Sequence, residues 1–437
     1  MSVPKAIEAL QKALPSDQIH LPNSDQFTEL NKFYLSRFES DITPAAIVRP
    51  KSAEEVSTFI KTIKPFVTDD DGGITLDLRL LKGVEYDEES GIVQIGAGER
   101  WGDVYEELGK HGRGITGSRS ANGGIGGLAL AGGLSFFASR EGFICDNVLA
   151  ALRGGANNFG VVTKFHMRTF EQGPFWGETL IYQQTSFDAQ IDALVHHLNE
   201  EREEVETHVM VSLFFAAMLN ATHGLNQLYY TRAIEDPPVL KPFLRVEEPL
   251  KAHCSRGMKT LKEAADEQAK MEPRDKRTAY VNTTVKADAA TLHAAAATFR
   301  NSLKPLEKCE GLVFSLTLQP YPASLLEKHD TRGGNVTGLS PSDGPLVSVL
   351  ILMSWENREE DGEILGAARK ILEAVDKNAQ DRGQAVGYTY LNYAFGFQDP
   401  IGSYGEANKT FLKGVSRKVD PEGVFQRGVP GGFKLFV

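Results

Sequence analysis

Asn122-Gly123-Gly124-Ile125-Gly126-Gly127-Leu128-Ala129-Leu130-Ala131-Gly132-Gly133-Leu134 holds six glycines in thirteen residues. Glycine admits positive φ and lets backbone N–H groups approach a large ligand with no Cβ between, which suits a diphosphate or a flat ring. The interleaved Ile125, Leu128, Leu130 and Leu134 face a core on this reading. On composition alone, tight packing of glycine-rich turns explains the run equally well.

Eighteen of the 42 glycines fall within residues 91–160, where an even spread would place about seven. A second cluster, Arg153-Gly154-Gly155-Ala156-Asn157-Asn158-Phe159-Gly160, runs into the strand Val161-Val162-Thr163-Lys164-Phe165. Two glycine-dense loops flanking Cys145-Asp146-Asn147-Val148 favour one shared cofactor site over two unrelated turns. A Gly-x-Gly-x-x-Gly match at Gly112, Gly114 and Gly117 follows a helix where a dinucleotide fold needs a strand, so it reads as chance. Residues 120–139 carry no charge, yet their glycines, Asn122 and Ser135 make a poor membrane span.

Working outward, Ala45-Ala46-Ile47-Val48 is a short apolar strand stopped by Arg49-Pro50. Ser52-Ala53-Glu54-Glu55 then predicts a capping box and a helix to about Lys64. Residues 74–79, 84–87 and 91–96 alternate with period 2 and predict antiparallel meander strands; 101–110 predicts an amphipathic helix. Beyond Phe170, helical patterns at 187–203, 250–271, 287–303 and 360–381 alternate with apolar strands at 208–218, 277–285, 311–318 and 345–355. That alternation predicts an α+β domain with a mostly antiparallel sheet and helices on one face. The end returns to a strand at 388–392 and a helix at 404–418.

At 437 residues the chain accommodates two or three domains. Its 47 Lys and Arg against 58 Asp and Glu give a net charge of −11 with no long block of either sign, which argues against nucleic acid and anionic membrane as partners. Cys145, Cys254 and Cys309 are too few and too widely spaced for a disulfide framework or a metal motif. No His-Glu-x-x-His, Gly-x-Ser-x-Gly or Walker pattern occurs, and no histidine pair suggests a metal site. His166, in an alternating strand, reads as structural. The first residues lack a signal-peptide pattern, so a cytoplasmic protein is expected; sequons at Asn220, Asn282, Asn335 and Asn408 argue weakly the other way.

Several of these stretches occur in one order: 45–50, the segment Gly96-Ala97-Gly98-Glu99-Arg100-Trp101, the glycine run, Gly142-Phe143-Ile144-Cys145-Asp146-Asn147-Val148, and 158–165. That order resembles the FAD-linked oxidoreductases of the vanillyl-alcohol oxidase superfamily, most nearly the berberine-bridge-enzyme-like oxidases of fungi. Tyr390-Leu391-Asn392-Tyr393, Tyr404-Gly405 and residues 420–425 look like that family's closing segment. The resemblance implies a two-part FAD-binding region, residues 1–170 with the C-terminal tail 386–437, around an α+β substrate domain at 171–385. It also implies hydride transfer from a small-molecule substrate (an alcohol, sugar or secondary-metabolite intermediate) to the flavin, with O2 as reoxidant. By position, Gly124, Gly126, Gly127, Gly132 and Gly133 approach the flavin and its phosphates. Asn147 and Val148 hold the adenosine end, and Asn392 sits by the ring. Tyr390 and Tyr393 are the base candidates, although a buried strand tyrosine with a satisfied hydroxyl explains each as well.

Two departures stand out. Where the family carries an Arg-Gly-Gly-Gly-His type loop, Phe66-Val67-Thr68 runs straight into Asp69-Asp70-Asp71. Where it carries a strand, a turn and another strand, Val148-Leu149-Ala150 runs directly into Ala151-Leu152-Arg153. Ser120 occupies the position of the cysteine that some members use for a second flavin attachment, so FAD binding is expected to be noncovalent and weakened. The flanking sequence stays well matched, which suits a skipped or mis-called exon. Two readings follow: a flavoprotein oxidoreductase, or a cofactor-free remnant that keeps the substrate domain as a binding protein. A visible spectrum of purified protein separates them. Flavin bands near stoichiometry are expected, and a colourless protein that FAD cannot reconstitute rejects the enzyme.

Overall fold

The computed structural model describes residues 3–67, 73–147, 152–200, 204–246, 249–250, 254–331 and 334–436. Both junctions flagged above, at 68/69 and 150/151, lie outside the described residues.

Strand Thr207–Ala216 shows how the larger sheet is built. Val209, Val211, Leu213 and Phe215 are buried on one face, and His208, Met210 and Ser212 alternate with them on the other, as a period of two requires. Strands Val313–Tyr321, Leu346–Trp355 and Arg277–Lys286 repeat the pattern with Leu316, Val349 and Val281 on the apolar face. Seven strands join in the order 255–259, 175–183, 221–230, 207–216, 313–321, 346–355, 277–286, every neighbouring pair antiparallel. Helices Phe187–Leu198, Ala289–Leu303 and Asp361–Asp381 cover the apolar face, contributing Leu194, Phe299 and Ile371 to its core. The α+β architecture with helices on one face is as expected.

Three strands escaped the hydrophobic pattern: Phe175–Gln183, Ala221–Tyr230 and Ser255–Lys259. The first two carry Glu178, Thr179, Asn226 and Gln227 in largely buried strands, so the apolar alternation is diluted. The third lies inside the stretch read as a helix at 250–271. The helix begins only at Leu261, because Thr260 Oγ1 accepts from Glu263 N at 3.2 Å and Glu263 Oε2 accepts from Thr260 N at 2.8 Å.

In the N-terminal part, Ala46–Val48 pairs antiparallel with Ile19–His20 and parallel with Ile74–Leu76. The segment at 74–79 is therefore no meander strand. Helix Ala53–Ile63 intervenes, and a strand, a crossover helix and a strand give parallel pairing. Val84–Asp87 and Ile92–Gly96 do form the expected hairpin, extended by Lys164–Arg168. On that last strand His166 is exposed.

The stretch at 388–392 is not a strand. Leu391–Tyr393 forms a 3-10 turn, and its preceding main chain is met by Asn282, whose Nδ2 donates to Tyr390 O at 2.9 Å and whose Oδ1 accepts from Tyr390 N at 2.8 Å. Asn282 is fully buried, which removes its sequon from consideration in the folded chain. Helix Glu406–Val419 follows, and Tyr388, Tyr390, Tyr404 and Leu412 share a core with Leu134, Phe143 and Phe159 of the glycine-rich part and Tyr321 of the sheet.

Asn282→Ala strands the buried N–H and C=O of Tyr390, so a loss on the order of 3 kcal/mol is expected in urea unfolding. Thr284→Val removes a buried hydroxyl that has no partner at nearly constant shape and is expected to cost under about 1 kcal/mol. Equal losses in the two variants reject this view of Asn282.

Candidate active site between the glycine run, the polar sheet face and the C-terminal segment

Gly124 caps the short helix Ile125–Leu130, which buries Ile125, Ala129 and Leu130. A Cβ built on Gly124, Gly126 or Gly127 meets nothing within 4 Å, and none of the three has positive φ. Neither packing nor backbone conformation requires glycine here, and a helical glycine costs about 1 kcal/mol relative to alanine. A main-chain surface kept clear of side chains at that cost fits the approach of a large flat or phosphorylated group. Gly132 and Gly133 differ: φ is +108° and +80°, and an added Cβ comes within 3.0 Å of the Tyr390 ring and 2.6 Å of Ile144 Cδ1. The fold itself demands glycine at those two positions.

Asn147 ends the 3-10 turn Ile144–Asn147, which adjoins the glycine run through Ile144 N to Gly133 O at 2.9 Å and Cys145 N to Gly132 O at 2.8 Å. Val148 lies outside the described residues. Asn392 Nδ2 reaches Ala131 O at 3.3 Å and Tyr390 Oη at 3.0 Å, so it ties the C-terminal segment to the run. The structure thus brings Gly132, Tyr390 and Asn392 together.

Tyr390 is almost wholly buried, and burial holds its hydroxyl well above the usual phenol range. Tyr393 is half-buried. Its Oη accepts from Arg119 Nη2 at 2.5 Å and lies 3.3 Å from both amide atoms of Gln319. Its ring stacks on Tyr280 at 5.7 Å and meets Tyr390 edge-on at 4.8 Å. Arg119 Nη1 faces His208 Nε2 at 3.4 Å and Met210 Sδ. Burial, then the neighbouring guanidinium, push the His208 imidazole well below its ordinary value, so it is neutral. A cavity of about 20 Å³, room for roughly one water, adjoins this group and is lined in part by Leu134, Ala138, His208, Gln319 and Pro320.

Sequence reasoning missed Arg119, His208, Met210, Gln319, Tyr280 and Asn282. A signal existed for the strand residues: polar side chains at every second position of otherwise apolar strands, as in His208-Val209-Met210-Val211-Ser212. At Ser120 no thiol is present, and its Oγ accepts from Asn122 N at 3.2 Å.

A sequence profile described as FAD binding domain matches residues 44–152. The chain is 31% identical over 477 residues to the FAD-dependent monooxygenase tpcD of Cochliobolus heterostrophus, covering 96% of this chain and 90% of that protein. It is 30% identical over 457 residues to the FAD-dependent monooxygenase FUP4 of Fusarium proliferatum, covering 93% and 88%. Both spans exceed 437 residues, so each relative carries segments missing here. Among solved structures, 6-hydroxy-D-nicotine oxidase from Arthrobacter nicotinovorans superposes with a TM-score of 0.75 at 18% identity, covering 94% of this chain and 96% of the other. Xylooligosaccharide oxidase from Myceliophthora thermophila in complex with xylobiose gives 0.75 at 17%, covering 97% and 98%. At such identities the likeness concerns the fold.

The double variant Gly126→Ala/Gly127→Ala is expected to melt no lower than wild type without ligand, since it gains up to about 2 kcal/mol of helix propensity, while its FAD affinity falls at least tenfold. Fluorescence titration with FAD, read beside the melting curve, checks both. An early-melting variant with unchanged affinity shows that these glycines serve packing.

Proposed function

The chain belongs to the FAD-dependent oxidoreductases of the vanillyl-alcohol oxidase superfamily, with fungal FAD-dependent monooxygenases among its relatives, and on that premise we propose that it oxidises a small alcohol, sugar or secondary-metabolite intermediate with dioxygen as final acceptor. FAD is the cofactor, and when bound it supplies the hydride acceptor. Gly124, Gly126 and Gly127 leave main chain open toward it, and the absence of a cysteine at 120 supports noncovalent binding. Asn392, bonded to Ala131 O, keeps the tyrosine pair against the run.

The observation that carries the reading is the position of Tyr393 Oη. It accepts from Arg119 and lies within reach of Gln319 Oε1, to which it can donate its own proton. A substrate hydroxyl placed beside it finds an oriented oxygen acceptor at the mouth of the polar sheet face. To act as base Tyr393 first releases its own proton and stands as a phenolate against the Arg119 guanidinium. It then takes the substrate's O–H proton, which weakens the adjacent C–H bond toward hydride loss to the flavin, a contribution of about 10²- to 10⁴-fold for a positioned base. Tyr390 is less suited, because it is buried, raised in pKa and engaged by Asn392. The relatives' names include both monooxygenases and oxidases; a base beside a hydroxyl supports simple dehydrogenation.

Screening FAD-loaded protein against benzylic alcohols, sugars and hydroxylated polycycles with an oxygen electrode is expected to give hydrogen peroxide equal to the oxygen consumed. Label from isotopic dioxygen appearing in the product rejects dehydrogenation. Tyr393→Phe is expected to lower kcat about 10²- to 10⁴-fold with an unchanged flavin spectrum, and Tyr390→Phe less than about tenfold. The reverse ranking moves the base to Tyr390.

A further inference from the structure

Arg119 lies in the segment leading into the glycine run. A guanidinium has five N–H donors, and among the described residues the one oxygen it meets is Tyr393 Oη, the other partners being the ring nitrogen of His208 and the thioether of Met210. Arg277 is matched with Asp41 and Asp361 and Arg140 with Glu141 and Glu206, whereas Arg100 and Arg113 bond to a main-chain carbonyl and a threonine hydroxyl. Among the described residues Arg119 has no such ion pair. Glu272, the acid on the neighbouring loop, accepts instead from Asn122 Nδ2 at 3.0 Å.

The groups that Arg119 touches are neutral, and Glu272 lies within electrostatic reach of Tyr280. His208 is uncharged, and Tyr280 and Tyr321 are held above the usual phenol range by burial. Arg119 is partly exposed, so water reaches its free donors, and an anion that takes the place of that water gains charge-assisted hydrogen bonds. The planar fork of arginine matches a carboxylate through two parallel hydrogen bonds, and the stacked Tyr280 and Tyr393 rings offer flat apolar surface beside it.

We infer that Arg119 anchors a carboxylate of the substrate, so that the enzyme takes hydroxylated aromatic acids in preference to neutral alcohols. The inference rests on the flavoenzyme reading only for the chemistry performed beside that carboxylate. Because the same guanidinium touches Tyr393 Oη, an acid held on its free donors brings a neighbouring hydroxyl to the proposed base. Arg119 is then a specificity-determining residue.

Benzoate and its neutral isostere benzamide test this. Each is titrated into FAD-loaded protein, reading the flavin difference spectrum, and by calorimetry into protein freed of FAD. Benzoate is expected to bind at least tenfold tighter than benzamide, and Arg119→Met to abolish that difference while leaving benzamide within about twofold. Arg119→Gln, closer in shape and polarity, serves the same comparison if Arg119→Met melts early. Equal affinities, no saturation by benzoate below about 50 mM, or a preference that survives both substitutions overturns the inference. A shifted flavin reduction potential in Arg119→Met with intact benzoate preference also overturns it, since the cation then serves the flavin. Benzoate preference in a protein that never takes up FAD rejects the flavoenzyme reading and leaves the anion site standing.

Discussion

The site depends on one buried amide. Asn282 sits on the last strand of the seven-stranded sheet and, through its side chain, satisfies both main-chain groups of Tyr390. Its own main chain is met in turn by Gln398, whose Nε2 donates to Asn282 O at 2.8 Å and whose Oε1 accepts from Asn282 N at 3.3 Å. Two side-chain amides thus do what a neighbouring strand normally does. They cap the sheet edge and order a segment that has no ladder of its own. That exchange works together with the Asn392–Ala131 and Arg119–Tyr393 hydrogen bonds to hold Tyr390, Asn392 and Tyr393 against the glycine run.

Division of labour between the two sheet faces follows from the same economy of hydrogen bonds. The apolar face is closed by three helices and needs no polar partners. The opposite face carries His208, Met210, Ser212, Thr317 and Gln319, which must bond to one another or to what packs on them, as Ser212 Oγ and Thr317 Oγ1 do at 2.9 Å. Against this face come the tyrosines and the partly exposed Arg119, whose charge acts on its neighbours. Burial first and this charge second hold the His208 imidazole well below its ordinary value, and the guanidinium orients the Tyr393 hydroxyl. Among the described residues Arg119 has no ion-pair partner, which leaves its free donors for the carboxylate proposed above.

Much of this was legible locally. Strands at 207–216, 277–286 and 346–355 and the helices at 289–303 and 361–381 carry strong periods, and each formed within a few residues of its expected bounds. Where local signals conflict, the reading failed for identifiable reasons. Ser255–Lys259 looked helical because the apolar spacing of the helix behind it runs on backwards, and only the Thr260 cap marks the true start. Residues 388–392 looked like a strand because alternating tyrosines mimic one, although side-chain amides supply its hydrogen bonds. Tyr390, Tyr393, Asn392 and the glycines could be named from motif order, whereas Arg119 and Gln319 belong to no motif.

From sequence alone came the two glycine-dense loops, the alternating elements of an α+β chain, the resemblance to FAD-linked oxidoreductases and the shortfall at two junctions. These depend on residues near one another in the chain, where spacing and turn chemistry act directly. Tertiary structure decided which glycines the fold itself requires and which stand open to a ligand. It also decided that Tyr393 rather than Tyr390 meets a guanidinium. Those outcomes arise from contacts between residues far apart in the chain, 274 positions for Arg119 with Tyr393 and 108 for Asn282 with Tyr390, and no local period encodes a distance closed only when the chain folds back on itself.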